Sequence, residues 1–172
     1  YIVYNNVTAN TWDAISLGGL YNNVSNNNLT ANGRSGVYLS GSYNIITANN
    51  IANNQYGFIV SWGSNNTIYH NNFINNTRQV YRIVEDKINI WNNGYPSGGN
   101  YWSDYNGTDL FKGPCQDEHG SDGIGDIPYV IDSQNRDNYP LMHPYGSPPP
   151  PYYNLTITAT IGGTTEPPSG IY

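Results

Sequence analysis

The sequence predicts an all-β chain: a β-solenoid of about four to five coils of 21–22 residues, then an irregular cap and an extended C-terminal strand. Three observations predict it. Asparagine recurs every 22 residues, in the columns Asn5/Asn27/Asn49/Asn71, Asn6/Asn28/Asn50/Asn72 and Asn10/Asn32/Asn54/Asn76. Apolar residues keep the same beat, as Ile2/Val24/Ile46/Ile68 and Val7/Leu29/Ile51/Phe73. Helix formers are scarce: from Tyr1 to Thr77 the only charged residues are Asp13 and Arg34. A fixed period of this length belongs to repeat architectures, in which each unit covers its hydrophobic face only by stacking on its neighbours.

Residues 1–95 are read as coils. Asn44–Thr47 and Gly57–Val60 are short β-branched or aromatic runs bounded by Asn and Gly, the pattern of strand and turn. Each coil therefore supplies three short strands, centred near the Ile46, Ile51 and Phe58 positions. Asn suits the corners between them because it tolerates left-handed backbone angles and bonds its own turn. With coils about 4.8 Å apart, a column of Asn side chains forms a ladder. The third strand slips by one residue, Ile15 to Val37 to Phe58 to Val80, which places a deletion in the corner after Ile51. A fifth coil begins with Ile90 and Asn93 on the period, and Pro96-Ser97-Gly98-Gly99 ends it.

Residues 96–145 form an Asp-, Gly- and aromatic-rich cap in which Tyr101, Trp102, Tyr105, Tyr129, Tyr139 and Leu141 cover the end of the last coil. Residues 146–152 are a Pro-rich, stiff linker. Residues 153–172 contain an alternating strand, either the start of a following domain or a strand donated to a neighbour's sheet.

The repeats, with Gly99-Asn100-Tyr101-Trp102-Ser103-Asp104-Tyr105, Asp122-Gly123-Ile124-Gly125-Asp126-Ile127-Pro128-Tyr129 and Asp137-Asn138-Tyr139-Pro140-Leu141-Met142, resemble the NosD-like family of parallel β-helix repeat proteins. The resemblance implies a right-handed single-stranded parallel β-helix, export from the cell and an archaeal surface protein. Members of that family carry labels as copper-delivery factors, carbohydrate-binding or carbohydrate-processing domains, and surface proteins. Fold alone does not choose among these.

Charge and composition narrow the partners. Only 10% of residues are charged, and the net charge of −6 with a pI near 4.6 disfavours nucleic acid. The single Cys115 excludes an internal disulfide. No transmembrane run is present. Seven Asn-x-Ser/Thr sites, at Asn6, Asn23, Asn28, Asn65, Asn75, Asn106 and Asn154, point to N-glycosylation and an extracellular, cell-surface location.

Eight of the twelve acidic residues fall between Asp104 and Asp137. Asp117, Asp122 and Asp126, spaced by glycines, form a candidate Ca²⁺ loop; the alternative is an Asx-turn cap with its carboxylates on backbone N–H groups or on Arg136. No organic cofactor is implied. Soft donors for copper are His70, His119, His143, Cys115 and Met142, with no spaced cluster among them.

Three roles compete. The leading one is a structural surface protein that associates with copies of itself into a filament, sheath or layer, through an edge at Tyr1, Ile2 and Val3 and the tail strand Leu155, Ile157, Ala159 and Ile161. A second is carbohydrate processing, for which Arg78, Arg82, Glu85, Asp86 and Lys87 form the one candidate cluster; a solvated charged patch explains that cluster more simply, and no enzyme is expected. A third is glycan binding, with Trp12, Tyr38, Tyr56, Trp62, Tyr69 and Tyr81 as stacking platforms.

Overall fold

The computed structural model describes residues 1–84 and 86–147, together with the strand pair Thr156–Ile157 and Gly170–Ile171. Its coils carry three strands each. The first holds β1 (Ile2–Val3), β2 (Asn6–Thr8) and β3 (Ile15–Leu17). The next three hold β4 (Asn23–Ser25), β5 (Asn28–Thr30) and β6 (Ser35–Leu39); β7 (Ile45–Thr47), β8 (Asn50–Ala52) and β9 (Tyr56–Val60); and β10 (Thr67–Tyr69), β11 (Asn72–Ile74) and β12 (Arg78–Arg82). Corresponding strands pair in parallel, making sheet A from β1-β4-β7-β10, sheet B from β2-β5-β8-β11 and sheet C from β3-β6-β9-β12. This is the parallel β-helix the period predicts. The slip lies where the sequence places it: Ser35 pairs Tyr56 and Val37 pairs Phe58, 21 residues on, whereas Asn32 still bonds Asn54 at 22.

Alternation along each strand sends one set of side chains inward. Val24, Leu29, Val37, Leu39, Ile46, Ile51, Phe58, Val60, Ile68 and Phe73 have no exposed surface. Three columns of buried asparagine line the corners. Asn49 donates from Nδ2 to the Val24 carbonyl one coil back (2.9 Å), to Thr47 in its own coil (3.0 Å) and to Asn71 Oδ1 one coil on (2.9 Å), and its Oδ1 accepts from Asn27. Each such residue therefore ties three coils. The third column, Asn22/Asn44/Asn66, is absent from the sequence reading. The Asn6/Asn28/Asn50 column runs outside, bonded side chain to side chain at 2.8 Å.

The left-handed turn does not sit on the ladder asparagines. It falls one residue earlier, on Tyr4, Asn26, Ala48 and His70 (φ 55 to 57°), on Ala9, Ala31, Asn53 and Asn75, and on Tyr21, Tyr43 and Asn65. The reason is geometric: the left-handed residue turns the chain so that the next side chain points inward, where its amide reaches three coils. Close stacking also selects glycine, since a Cβ on Gly41 would run into the Gly19 carbonyl.

The helix runs further than Pro96–Gly99. Asn66 bonds Asn89, 23 residues on, which buries Trp91 (1% exposed) and leaves Ile90 outside (54% exposed). Asn93 does not join the ladder; Asn71 bonds Asn100 instead, and β13 (Tyr101–Trp102) pairs with β11 as a fifth member of sheet B. The ladder separation lengthens from 22 residues to 23 at Asn66–Asn89 and to 29 at Asn71–Asn100, so spacing alone misplaces the end. Phe73, Trp102 and Tyr129 then stack face to face, with centroids 4.3 and 4.2 Å apart, and close the core with aromatic rings.

The cap carries two hairpins, β14 (Phe111–Lys112) with β15 (Glu118–His119), and β16 (Tyr129–Val130) with β17 (Arg136–Asp137). The second terminates two ladders. Asn135 Oδ1 accepts from Asn89 N (2.9 Å) and Trp91 Nε1 (3.1 Å); Asp137 accepts from Asn100 N (2.6 Å), Trp102 Nε1 (3.0 Å) and Tyr139 N (3.0 Å). Asp137 is fully buried, and burial outweighs these donors and pushes its carboxyl up to about 6. Further along, Thr156–Ile157 (β18) and Gly170–Ile171 (β19) pair antiparallel.

Candidate functional site

The outer face of sheet C is where side chains with binding chemistry collect. Parallel register puts Ser16, Tyr38, Ile59 and Tyr81 in one outward column, because their neighbours Val37, Leu39, Phe58 and Val80 point in. The corner before the sheet adds Trp12 and Arg34. Arg34 lies over the Tyr38 ring (4.9 Å) and near the Trp12 ring (5.8 Å), with Nη1 2.9 Å from Asp13 Oδ2. Tyr56 stacks on Tyr81 at 5.0 Å, and Arg78 lies 5.2 Å from the Tyr81 ring.

These residues frame a concavity of about 430 Å³ floored by Ile59 and walled by Trp12, Arg34, Tyr56 and Tyr81. Trp12 is 68% exposed, an unusual position for so large an apolar surface. Past Tyr81 the surface dips again into hollows of about 330 and 210 Å³ that share Arg78 at their rims. The first is walled by Arg82, Asp86 and Asp132; the second by Asp104 and Tyr129. Arg82 pairs with Asp132 and also donates to the carbonyls of Val84 and Lys87. For Asp132, burial is outweighed by the Gln134 N–H, Arg82 and Asn135, so its carboxyl sits below the ordinary range. Tyr129 is shifted up by burial and by Asp104, which accepts its hydroxyl at 3.2 Å. Asp132 lies 50 residues from Arg82, a separation at which sequence reading gives no sign of the pair.

The remaining sequence-predicted residues are scattered. Asn6, Asn65, Asn75 and Asn106 are exposed, Asn23 and Asn28 are half-buried, and Asn154 lies outside the described residues. Asn23 Oδ1 is sealed from solvent without a partner. Ile2 and Val3 pair with β4, and Tyr1 is exposed beside them. Ile157 lies in β18, whereas Leu155, Ala159, Ile161 and Glu85 fall outside the described residues. Trp62 sits away from the groove beneath Lys87 (5.7 Å), and Tyr69 packs edge-on to His70.

In the acidic loop the carboxylates diverge onto separate donors. Asp126 takes Leu110 N, Phe111 N and the Thr108 hydroxyl; burial, the largest single influence, raises its carboxyl, and these donors together outweigh it and hold the group below the ordinary range. Asp122 takes Gly113 N, Ile124 N and Gln116 Nε2, and Asp109 takes Asp122 N, Gly123 N and the Ser121 hydroxyl. Asp117 is exposed. Arg136, on β17, makes no ion pair with a carboxylate among the described residues.

A family model described as periplasmic copper-binding protein (NosD) matches residues 1–107, the coils through β13. The chain belongs to the NosD family. No curated protein and no solved structure matches it. The NosD description names copper, and the donors of this chain do not fit one. His70 Nε2 lies 2.7 Å from the Ser97 carbonyl and its ring stacks on Tyr145 (4.1 Å), while His119 stacks on Phe111 (5.1 Å). Cys115 and His143 are exposed. Among the described residues, which hold every His and Cys of this NosD chain, no three His, Cys, Asp or Glu side chains converge on a metal position. No helix among them is long and apolar enough to cross a membrane.

Proposed function

We propose that this protein is an extracytoplasmic glycan-binding β-helix, a rigid rod that presents the outer face of sheet C to a carbohydrate chain. The observation that carries the reading is the groove of Trp12, Arg34, Tyr56 and Tyr81 over Ile59. Sugar rings have one face of C–H groups and an edge of hydroxyls. An exposed indole and a tyrosine pair offer flat apolar faces for the first, and a guanidinium with an adjacent carboxylate offers donors and acceptors for the second. A concave, mostly preformed site with a few placed polar groups is the usual form of a ligand pocket.

The scaffold suits this work. Three ladders of buried amides fix each coil against the next, so the aromatic rings keep their places before ligand arrives and less ordering entropy is lost on binding. The family's description as periplasmic supports a location outside the cytoplasm, where glycans are encountered. A structural role at the cell surface, the leading expectation from the repeats, is compatible with this face, since a scaffold gains an anchor by holding a glycan.

Titration calorimetry against a panel of oligosaccharides, with tryptophan fluorescence in parallel, tests the proposal. Binding is expected to quench Trp12 and to fall at least about tenfold in Trp12→Ala and Tyr81→Ala, the loss of one stacking face each. Binding that survives the double variant Trp12→Ala/Tyr81→Ala sinks the proposal, and so does an absence of binding to every member of the panel.

A further inference from the structure

The arginines of this face are not equivalent. Arg34 is paired with Asp13, and Arg82 is paired with Asp132. Arg78 is exposed, lies over the Tyr81 ring, and makes no ion pair with a carboxylate among the described residues. The carboxylates lining the surrounding hollows are Asp86 and Asp132 in one and Asp104 in the other; Asp132 is taken by Arg82, and Asp104 already accepts the Tyr129 hydroxyl.

Arg78 also lines both the 330 and the 210 Å³ hollows, the one charged residue among the three they share with Val80 and Ile131, and through Tyr81 and Tyr56 it adjoins the 430 Å³ aromatic concavity. A chain ligand lying along sheet C and stacking on Tyr81 would pass directly beside this guanidinium. Its planar fork matches a carboxylate in two parallel hydrogen bonds, and its stacking on Tyr81 leaves that edge free to donate.

We propose that the ligand of this face is an acidic glycan bearing uronic-acid carboxylates, and that Arg78 receives one of those carboxylates. The inference rests on the glycan-binding reading above and names its substrate class. It runs against the chain's own net charge of −6, which repels a polyanion at long range, so recognition is local and depends on this one guanidinium.

The experiment compares oligogalacturonate with a neutral oligosaccharide of equal length, by calorimetry on the full chain at low and high salt. The acidic ligand is expected to bind at least about tenfold more tightly at low salt, with the preference shrinking as salt rises. Arg78→Gln is expected to abolish the preference while leaving neutral binding in place, and Arg78→Lys to retain part of it, since charge survives but the fork does not. Equal affinity for the two ligands, or a preference that persists in Arg78→Gln, overturns the inference and leaves glycan binding standing. Failure of both ligands to bind overturns the two together.

Discussion

Asp137 is a buried acid at the end of a hydrogen-bonded column, and its titration should be visible in the stability of the whole rod. Its carboxyl is held near 6 in the folded chain against an ordinary 3.8, burial being the dominant cause. A folded-state value above the unfolded one means the native protein takes up the proton first. Stability from this group is therefore fully present below about pH 3.8 and is lost as pH rises through 6. The whole window is worth about 3 kcal/mol, of which about 2 has returned by pH 4.5. With a urea dependence of about 2 kcal/mol per molar, acidification from pH 7 to 4.5 should raise the unfolding midpoint by about 1 M. The buried Trp91 and Trp102 report the transition by fluorescence.

The control is Asp137→Asn. It removes the charge but turns an NH2 toward either Tyr139 N–H or Asn100 N–H, so its stability at pH 7 is a balance of two terms. The shape of its profile is the useful quantity: the Asp137 contribution disappears, and the difference between native protein and variant grows toward acid by about 2 kcal/mol. Asp126 and Asp132, both held below 3.8, act in the opposite sense, and their contribution is lost only as pH falls below that value. Parallel profiles for native protein and Asp137→Asn between pH 7 and 4.5 would refute the assignment.

Asn49→Ala should cost at least about 3 kcal/mol in urea unfolding, because it orphans buried donors on Asn27 and the carbonyls of Val24 and Thr47, whereas Asn10→Ala in the exposed first coil should cost about 1 or less. Gly41→Ala should lower stability by about 1–3 kcal/mol, since the new methyl meets the Gly19 carbonyl; a neutral effect in the same assay would mean that the coils can spread. Ala31→Gly should raise stability by about 0.5–1 kcal/mol, relieving a left-handed alanine at φ 57°, and differential scanning calorimetry would show it as a higher midpoint.

The fold was legible because its determinants repeat. Asn27, Asn49 and Asn71 meet at a separation of 22 residues, so spacing and contact coincide, and even the one-residue slip between Val37 and Phe58 can be read from apolar positions. Legibility ends where contacts cease to be periodic. Asn100 takes the place that counting gives to Asn93, and Asn135 and Asp137 finish ladders from 46 and 37 residues away, after an irregular cap. The proposed binding face was half visible: Tyr38 and Tyr81 share a column by arithmetic, but the pairing of Arg82 with Asp132 closes over 50 residues. The left-handed corners were legible in part: Asn26, Asn53, Asn65 and Asn75 take them as residue preference names, but the fold needs the ladder amides inside and accepts Tyr, Ala or His at the other bends.

The ladders also have a direction. In the three buried columns the amide of one coil donates forward to the oxygen of the next, opposite to the outer Asn6/Asn28/Asn50 column, so the buried amide dipoles add along the rod as peptide dipoles add along an α-helix, with the positive end toward the cap. The anion Asp137 stands at that end, where such a field favours negative charge. An inserted 22-residue coil would accept from behind and donate ahead, leaving the terminus and its charge unchanged. Rod length can therefore vary by whole coils without redesign of the cap, and the position of the sheet C aromatic face along the rod can vary with it.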